Sequence, residues 1–404
     1  MKKKYRILLP LLALCLVGCD KQAYRPNDYE MFADLPVYSD VIKSVEYAAM
    51  VTGVNAPTDT KKDWKIGGTD LGFPYYDTKT KNMFYLFGDT FGDAPRGSGL
   101  WRSNVLGYSK DFDFSDGLSF DGFITDKNGM AKEIIPSPKD PNGVGGERTA
   151  IPTGGISIDG THYVFWMSIT EWLSSGWDVN LCACYKSTDD GKTFTEVENL
   201  YWVGSTRAKR AYAEDRLETT LEETANHISN DFMQVNPYRV GDLVYIIGIT
   251  GGRFGGAKLG RVAVNDIEDF TKYEYYTGKD NDGKPVWIQG TAGLEALVDN
   301  EASYVVEPTV AEPCLSYSTY FGKHMLSYYT RDKIVFRLSD NLIDWSEYVA
   351  ICSSANFVQL YGGFTHQMLS DKRGKNQYFL VSQFYVDKLG DNQYNVKLIK
   401  VTYK

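Results

Sequence analysis

Two aspartates carry the first chemical signal in this sequence. Asp70 and Asp89 lie near the two ends of GGTDLGFPYYDTKTKNMFYLFGDTF, residues 67–91. The string alternates like two strands joined by a turn at residues 78–81. If the first strand descends from one face of a sheet and the second climbs back, the residue opening the first and the residue closing the second meet on the same face. Carboxylates gathered this way raise one another's pKa and separate into a protonated acid and a charged partner, which is what cleavage of a glycosidic bond needs. Aspartates in such places also serve as turn formers by bonding local backbone. Spacing alone weighs the two roles evenly.

The elements that would position this pair recur. A polar segment with Gly or Pro, a strand, a short turn and an aromatic second strand appear at residues 67–91, 151–172, 233–252, 310–330 and 361–385. Several copies continue into further strands, as in VLGYSKDFDF, CACYKSTDDGKTF and FRLSDNLIDW. Repeated four-stranded antiparallel units at this period predict an all-β, five-bladed β-propeller, since radial closure protects most strand edges. The fifth unit offers three strands, so the orphan strand at residues 45–52 is expected to complete it and close the ring. A pair of β-sandwiches is the alternative. The stretch Ser187-Thr188-Asp189-Asp190-Gly191-Lys192-Thr193-Phe194 matches an Asp-box hairpin, a turn device of blade peripheries that says little about substrate.

Applying the same rule to the other units gathers Glu147, Arg148, Glu171, Asp231, Asn236, Arg253, Glu307, Glu312, Arg331, His366, Gln383 and Asp387 on the same face. Trp101, Trp172, Trp177, Tyr328, Tyr329 and Tyr385 stand among them. Rings for stacking and bidentate polar groups for hydroxyls suit a polyhydroxylated ligand. Trp101, Glu147, Arg148, Trp172, Asn236, Arg253, Glu312, Tyr329, Arg331 and His366 are therefore candidate substrate-binding residues, with Glu312 also a candidate third carboxylate. No His/Cys cluster has zinc-ligand spacing, and no G-x-S-x-G elbow or P-loop occurs. No metal and no cofactor are expected. A net charge of −9 and the lack of a basic stripe argue against nucleic acid.

The N-terminus reads as an export signal. Lys2, Lys3, Lys4 and Arg6 precede an apolar run at residues 7–17, and Leu16-Val17-Gly18-Cys19 resembles a lipobox. Residues 1–18 are the expected lipoprotein signal peptide. Cys19 is the expected lipidation site, residues 19–40 a tether, and residues 41–404 one propeller domain. No later stretch approaches the length of a membrane span. The expectation is a monomer, lipid-anchored to a bacterial outer membrane on its periplasmic or surface side. Cys182 and Cys184, at i, i+2 in a strand, point in parallel and are poorly placed to bridge each other. A bridge between Cys314 and Cys352 is left open.

The elements Gly68-Thr69-Asp70, Phe87-Gly88-Asp89-Thr90-Phe91 and Trp101-Arg102-Ser103-Asn104 together resemble the endo-D-arabinofuranan hydrolases, glycoside hydrolase family 183. The family was formerly known as a domain of unknown function, number 4185. The later repeats are compatible with that family's five-bladed propeller over nearly the whole mature chain. The resemblance implies cleavage inside the D-arabinan of mycobacterial arabinogalactan and lipoarabinomannan, with the motif aspartates, here Asp70 and Asp89, at the catalytic centre. It also adds Arg102 and Asn104 to the substrate-binding candidates. Two alternatives remain: a non-catalytic glycan-binding lipoprotein, and a propeller glycosidase acting on L-arabinan or sialic acid.

Overall fold

The computed structural model describes residues 35–93, 99–142, 146–173, 176–204, 225–355, 357–386 and 392–404. The signal peptide, Cys19 and most of the tether lie outside the described residues, as does Asp387.

The regular structure of the described chain is mainly antiparallel sheet. β1 (Ile42–Met50) comes first but pairs last. Then β2 (Gly68–Tyr76), β3 (Met83–Phe91), β4 (Val105–Ser109) and β5 (Gly122–Phe123) form one sheet in sequence order. A second sheet follows, made of β6 (Thr149–Ile158), β7 (Thr161–Leu173), β8 (Gly176–Ser187) and β9 (Thr195–Val203). The third run is β10 (Gln234–Val240), β11 (Leu243–Ile249), β12 (Gly255–Ala263), β13 (Glu274–Lys279) and β14 (Pro285–Gln289). The fourth is β15 (Val306–Ser318), β16 (Lys323–Thr330), β17 (Lys333–Ser339) and β18 (Val349–Ser353). β12 also pairs with the start of β15, at Gly255 with Val310 and Ala257 with Val306, so these two runs share a nine-stranded sheet.

The last sheet takes β19 (Leu360–Phe364), β20 (Asn376–Val386), β21 (Asn392–Tyr403) and, on its outer edge, β1. The orphan N-terminal strand thus pairs with β21, Val45 opposite Val401 and Ile42 opposite Tyr403. It buries Ile42, Val45 and Met50 where β21 would otherwise be an open edge.

The leading strands of the five runs pack against one another in a cycle: β2 on β6, β6 on β10, β10 on β15, β15 on β19, and β19 back on β2. Small residues let these strands approach. A Cβ at Gly154 in β6 would collide with Asn236 of β10. Asn236 turns that proximity into a tie: its amide donates to the Thr153 carbonyl at 3.3 Å and its Oδ1 accepts from Leu315 N–H of β15 at 2.8 Å. Between sheets the core is aromatic and aliphatic, with Tyr85, Phe87, Trp166, Tyr185, Trp202 and Phe336 inaccessible or nearly so.

The Asp-box segment closes the β8–β9 hairpin. Asp189 accepts from Lys192 N–H (3.1 Å), Thr193 N–H (2.9 Å) and Thr193 Oγ1 (2.7 Å), and these donors hold its carboxyl below the usual range despite some desolvation. Cys182, Cys184, Cys314 and Cys352 are buried and outside any disulfide. Burial pushes the Cys182 and Cys314 thiols up to about 12.

Candidate active site

Asp70 owes its orientation to a break in β2. Leu71 and Gly72 take φ values of 65° and 103°, and the register with β3 slips on both sides of Leu71. Such a bulge re-aims a side chain out of the ladder. The displaced Leu71 N–H is satisfied by Ser382 Oγ of β20, at 2.8 Å. Asp70 Oδ2 accepts from Tyr361 Oη at 2.8 Å, and Tyr394 adds a second phenolic donor. Asp70 Oδ1 is buried with no hydrogen-bond partner among the described residues. That oxygen lies against Gly88, where any Cβ would overlap it. The glycine of the Phe-Gly-Asp-Thr-Phe string is therefore a seat for the carboxylate of Asp70.

Burial drives the Asp70 pKa to about 7, the negative charges of Asp89 and Glu312 adding to it and the two phenols opposing it. The same proximity raises the Tyr361 and Tyr394 phenols, chiefly by burial and then by the charge of Asp70. Asp89, from β3, is differently served. Its Oδ1 accepts from Thr149 Oγ1 of β6 at 2.6 Å and from the indole N–H of Trp101 at 2.8 Å. Trp101 itself is 40% exposed and stacks on Phe91 at 6.3 Å between centroids.

A third carboxylate faces these from β15. Glu312 is 3% exposed and has a φ of 47°, in a stretch where the register with β16 slips between Ala311 and Cys314. Its Oε1 accepts from Arg253 Nε at 2.7 Å; its Oε2 is buried with no partner among the described residues. Arg253 is held between rings, its guanidinium carbon 4.9 Å from the Trp177 and Tyr361 centroids and 5.5 Å from that of Tyr329. Gly252, at φ 77°, shapes the loop that carries Arg253, and its carbonyl accepts from Gln234 Nε2.

These groups line one cleft of about 480 Å³. Its polar wall is Asp70, Asp89, Glu312, Gln234, Arg253 and Arg331; its apolar wall includes Phe73, Ile151, Trp172, Trp177, Tyr329 and Phe384. A cleft with rings on its walls and a few convergent carboxylates has the form of a sugar site.

Of the candidates read from sequence, the cleft brings together Asp70, Asp89, Trp172, Arg253, Glu312, Tyr329 and Arg331, with Trp101 reaching it through Asp89. The others lie elsewhere, and most of their polar groups serve the backbone. Arg102 directs its guanidinium to the carbonyls of Ala131 (2.8 Å), Trp64 (3.5 Å) and Lys65, and burial lowers its pKa to about 10. Asn104 donates to Ile135 and Ala150 carbonyls and accepts from Ile134 and Ile135 N–H groups. Glu147 is buried and accepts from Ser137 Oγ at 2.6 Å, Arg148 Nε binds the Thr170 carbonyl at 2.8 Å, and Asn236 is the inter-strand tie already described.

His366 is displaced for a different reason: the fifth run begins at Leu360 rather than beyond His366. Tyr361 consequently occupies the cleft position, and His366 lies past the far end of β19, its carbonyl accepting from Gln377 Nε2 and burial lowering its pKa to about 4. Tyr361 and Tyr394 were not singled out from sequence. The only signal for Tyr361 is the Tyr361-Gly362-Gly363 string, whose glycines take φ values of 79° and 113°.

The model of a family described as a domain of unknown function, DUF4185, matches residues 55–400. No curated protein matches the chain. A protein described as a hydrolase from Bacteroides ovatus is similar in structure at 12% identity, with a TM-score of 0.56, covering 94% of this chain and 96% of its own. A family 117 glycoside hydrolase from Zobellia galactanivorans aligns at 10% identity, TM-score 0.44, over 89% of this chain and 90% of its own. The xylan β-1,4-xylosidase of Bacillus halodurans aligns at 9% identity, TM-score 0.42, over 83% of this chain and 53% of its own. The likeness to the Bacteroides ovatus protein is one of fold.

Proposed function

The chain belongs to the DUF4185 family, and from the carboxylates gathered in its cleft we propose that it is a glycoside hydrolase cleaving internal D-arabinofuranosyl linkages of mycobacterial-type arabinan. One observation carries the reading: Asp70 lines an aromatic-walled cleft with one carboxyl oxygen buried and without a partner among the described residues, and burial raises its pKa to about 7. A carboxyl in that condition can donate a proton to a glycosidic oxygen near neutrality. Asp89 completes the centre beside it, on the paired strand.

The D-arabinan specificity is supported by the joint occurrence of Gly68-Thr69-Asp70, Phe87-Gly88-Asp89-Thr90-Phe91 and Trp101-Arg102-Ser103-Asn104. A five-bladed propeller is supported by the five leading strands that follow one another in a closed cycle and by β1 completing the last sheet. The lipobox at Cys19 supports a protein tethered to an outer membrane, on its periplasmic or surface side, where an extracellular polysaccharide would meet it.

The test is incubation of the purified protein with mycobacterial arabinogalactan, following released oligosaccharides by chromatography. A ladder of arabino-oligosaccharides, reduced by about 10³-fold or more in Asp70→Asn, is expected. Binding of the polymer without any release would make the protein a glycan-binding lipoprotein, and a fully active Asp70→Asn would remove Asp70 from the chemistry.

A further inference from the structure

Asp70 and Asp89 belong to paired strands of a single sheet, so they approach a ligand from the same side of the cleft. Hydrolysis of a glycosidic bond asks for something else: one carboxyl at the leaving oxygen and another on the opposite face of the sugar. Asp89 is also engaged, since its Oδ1 accepts two hydrogen bonds, one of them from an exposed indole. The group that meets the requirement stands across the ring. β19 separates β2 from β15 on one side, and β6 and β10 separate them on the other. From β15, Glu312 lines the same cleft, with Oε2 buried and without a partner among the described residues.

Several independent features mark Glu312 as built for this place. Its backbone is left-handed, at φ 47°, in the middle of a strand, a conformation that non-glycine residues hold only where the surroundings impose it. The residue is 97% removed from solvent, yet only one of its carboxylate oxygens has a hydrogen-bond partner among the described residues. A buried carboxylate with an unpaired oxygen is costly in the unliganded protein and is satisfied when a ligand or water supplies a donor. Arg253 fixes the other oxygen and is itself packed among Trp177, Tyr329 and Tyr361, so the carboxylate of Glu312 is pinned through Oε1 while Oε2 is left for a ligand or water. Tyr361, which packs on Arg253, also donates to Asp70, so one phenol ring touches the supports of both carboxylates.

We propose that Glu312 is the carboxylate that works opposite Asp70, and that Asp89 is a positioning residue of the same centre. The inference rests on the glycoside hydrolase reading above. In the step it implies, the Asp70 carboxyl gives its proton to the glycosidic oxygen as the bond from the anomeric carbon to that oxygen breaks. The bonding pair leaves with the oxygen, which becomes the hydroxyl of the departing sugar. A water molecule forms the new bond to the anomeric carbon through its oxygen and passes its surplus proton to Glu312 Oε2. One water is consumed, and the resting state returns when Glu312 loses that proton to solvent and Asp70 regains one.

The experiment compares Glu312→Gln, Glu312→Asp, Glu312→Ala, Asp89→Asn and Asp89→Ala with the wild type on D-arabinan, with thermal unfolding as the check on folding. Glu312→Gln should lose about 10³-fold or more in kcat with KM within a few-fold. Glu312→Asp, which keeps a carboxylate, should retain more activity than Glu312→Gln. Added formate should restore part of the turnover of Glu312→Ala, a response that a structural role would not give. Asp89→Asn should fall by about 10- to 100-fold without formate rescue. Glu312→Gln within tenfold of the wild type, or formate rescue of Asp89→Ala in place of Glu312→Ala, would overturn the inference while leaving the hydrolase reading intact. Failure of the wild type to cleave any arabinan would instead overturn the reading on which it rests.

Discussion

At Asp70, structure and titration are coupled. Its carboxyl is moved from the ordinary 3.8 to about 7, by burial first and by the neighbouring carboxylates second. A raised carboxyl pKa means that the folded state holds a proton the unfolded chain has released. The stabilising contribution is full below about pH 4 and is lost as pH rises through about 7. Asp70→Asn, a neutral mimic of the protonated form, should therefore stay close to the wild type in stability near pH 4 and exceed it by roughly 4 kcal/mol at pH 8. Denaturant titration at the two pH values checks this, and equal stabilities at pH 8 would show that the carboxyl is ionised without cost. The residues that serve Asp70 explain what the sequence could and could not disclose. Asp70 and Asp89 were legible because strand–turn–strand alternation brings them together locally. Tyr361, Ser382 and Tyr394 come from some three hundred residues later in the chain, and no local pattern points to them.

At the scale of the element, the site depends on breaks in regular strands. The slip at Leu71 turns Asp70 out of the ladder, and the slip after Ala311 does the same for Glu312. Both leave a non-glycine residue at positive φ beside the cleft. A strand assignment from alternation anticipates the strand but not its interruption, because the register shift is fixed by packing across sheets. The same cause accounts for Arg102 and Asn104. Their motif is specific, yet inter-element carbonyls and N–H groups take up their polar atoms, a demand that only the folded backbone creates. Gly88 offers the direct test at this scale. Gly88→Ala places a methyl on Asp70 Oδ1. It should leave the sheet folded but cut turnover by about 10- to 100-fold, because a displaced carboxyl no longer meets the reacting atoms. A variant with unchanged kcat would show that the carboxylate has room to move.

At the scale of the whole molecule, strand order makes the N-terminus part of the last sheet. β1 covers β21, and Ile42, Val45 and Met50 are buried there. The repeat pattern anticipated this pairing, since the last unit was one strand short. Deleting residues 35–50 should expose β21 and lower the melting temperature by about 10 °C, with a tendency to associate through the new edge. Calorimetry of the shortened chain checks it, and an unchanged melting temperature would mean that β21 is stable as an edge. The cycle of leading strands also decides which side chains can oppose one another. Carboxylates from β2 and β3 share a side of the cleft, whereas β15 is separated from β2 around the ring by β19. That relation was not legible in sequence, where Glu312 is one acid among many.

The most direct test of the account is the rate of reducing-end release from purified D-arabinan by the wild-type protein at pH 6 and at pH 9. With Asp70 protonated at the lower pH and ionised at the higher, the account predicts a ladder of oligosaccharides at pH 6 and at least about a tenfold slower release at pH 9. Absence of release at both values, or a rate that climbs through pH 9, would contradict it.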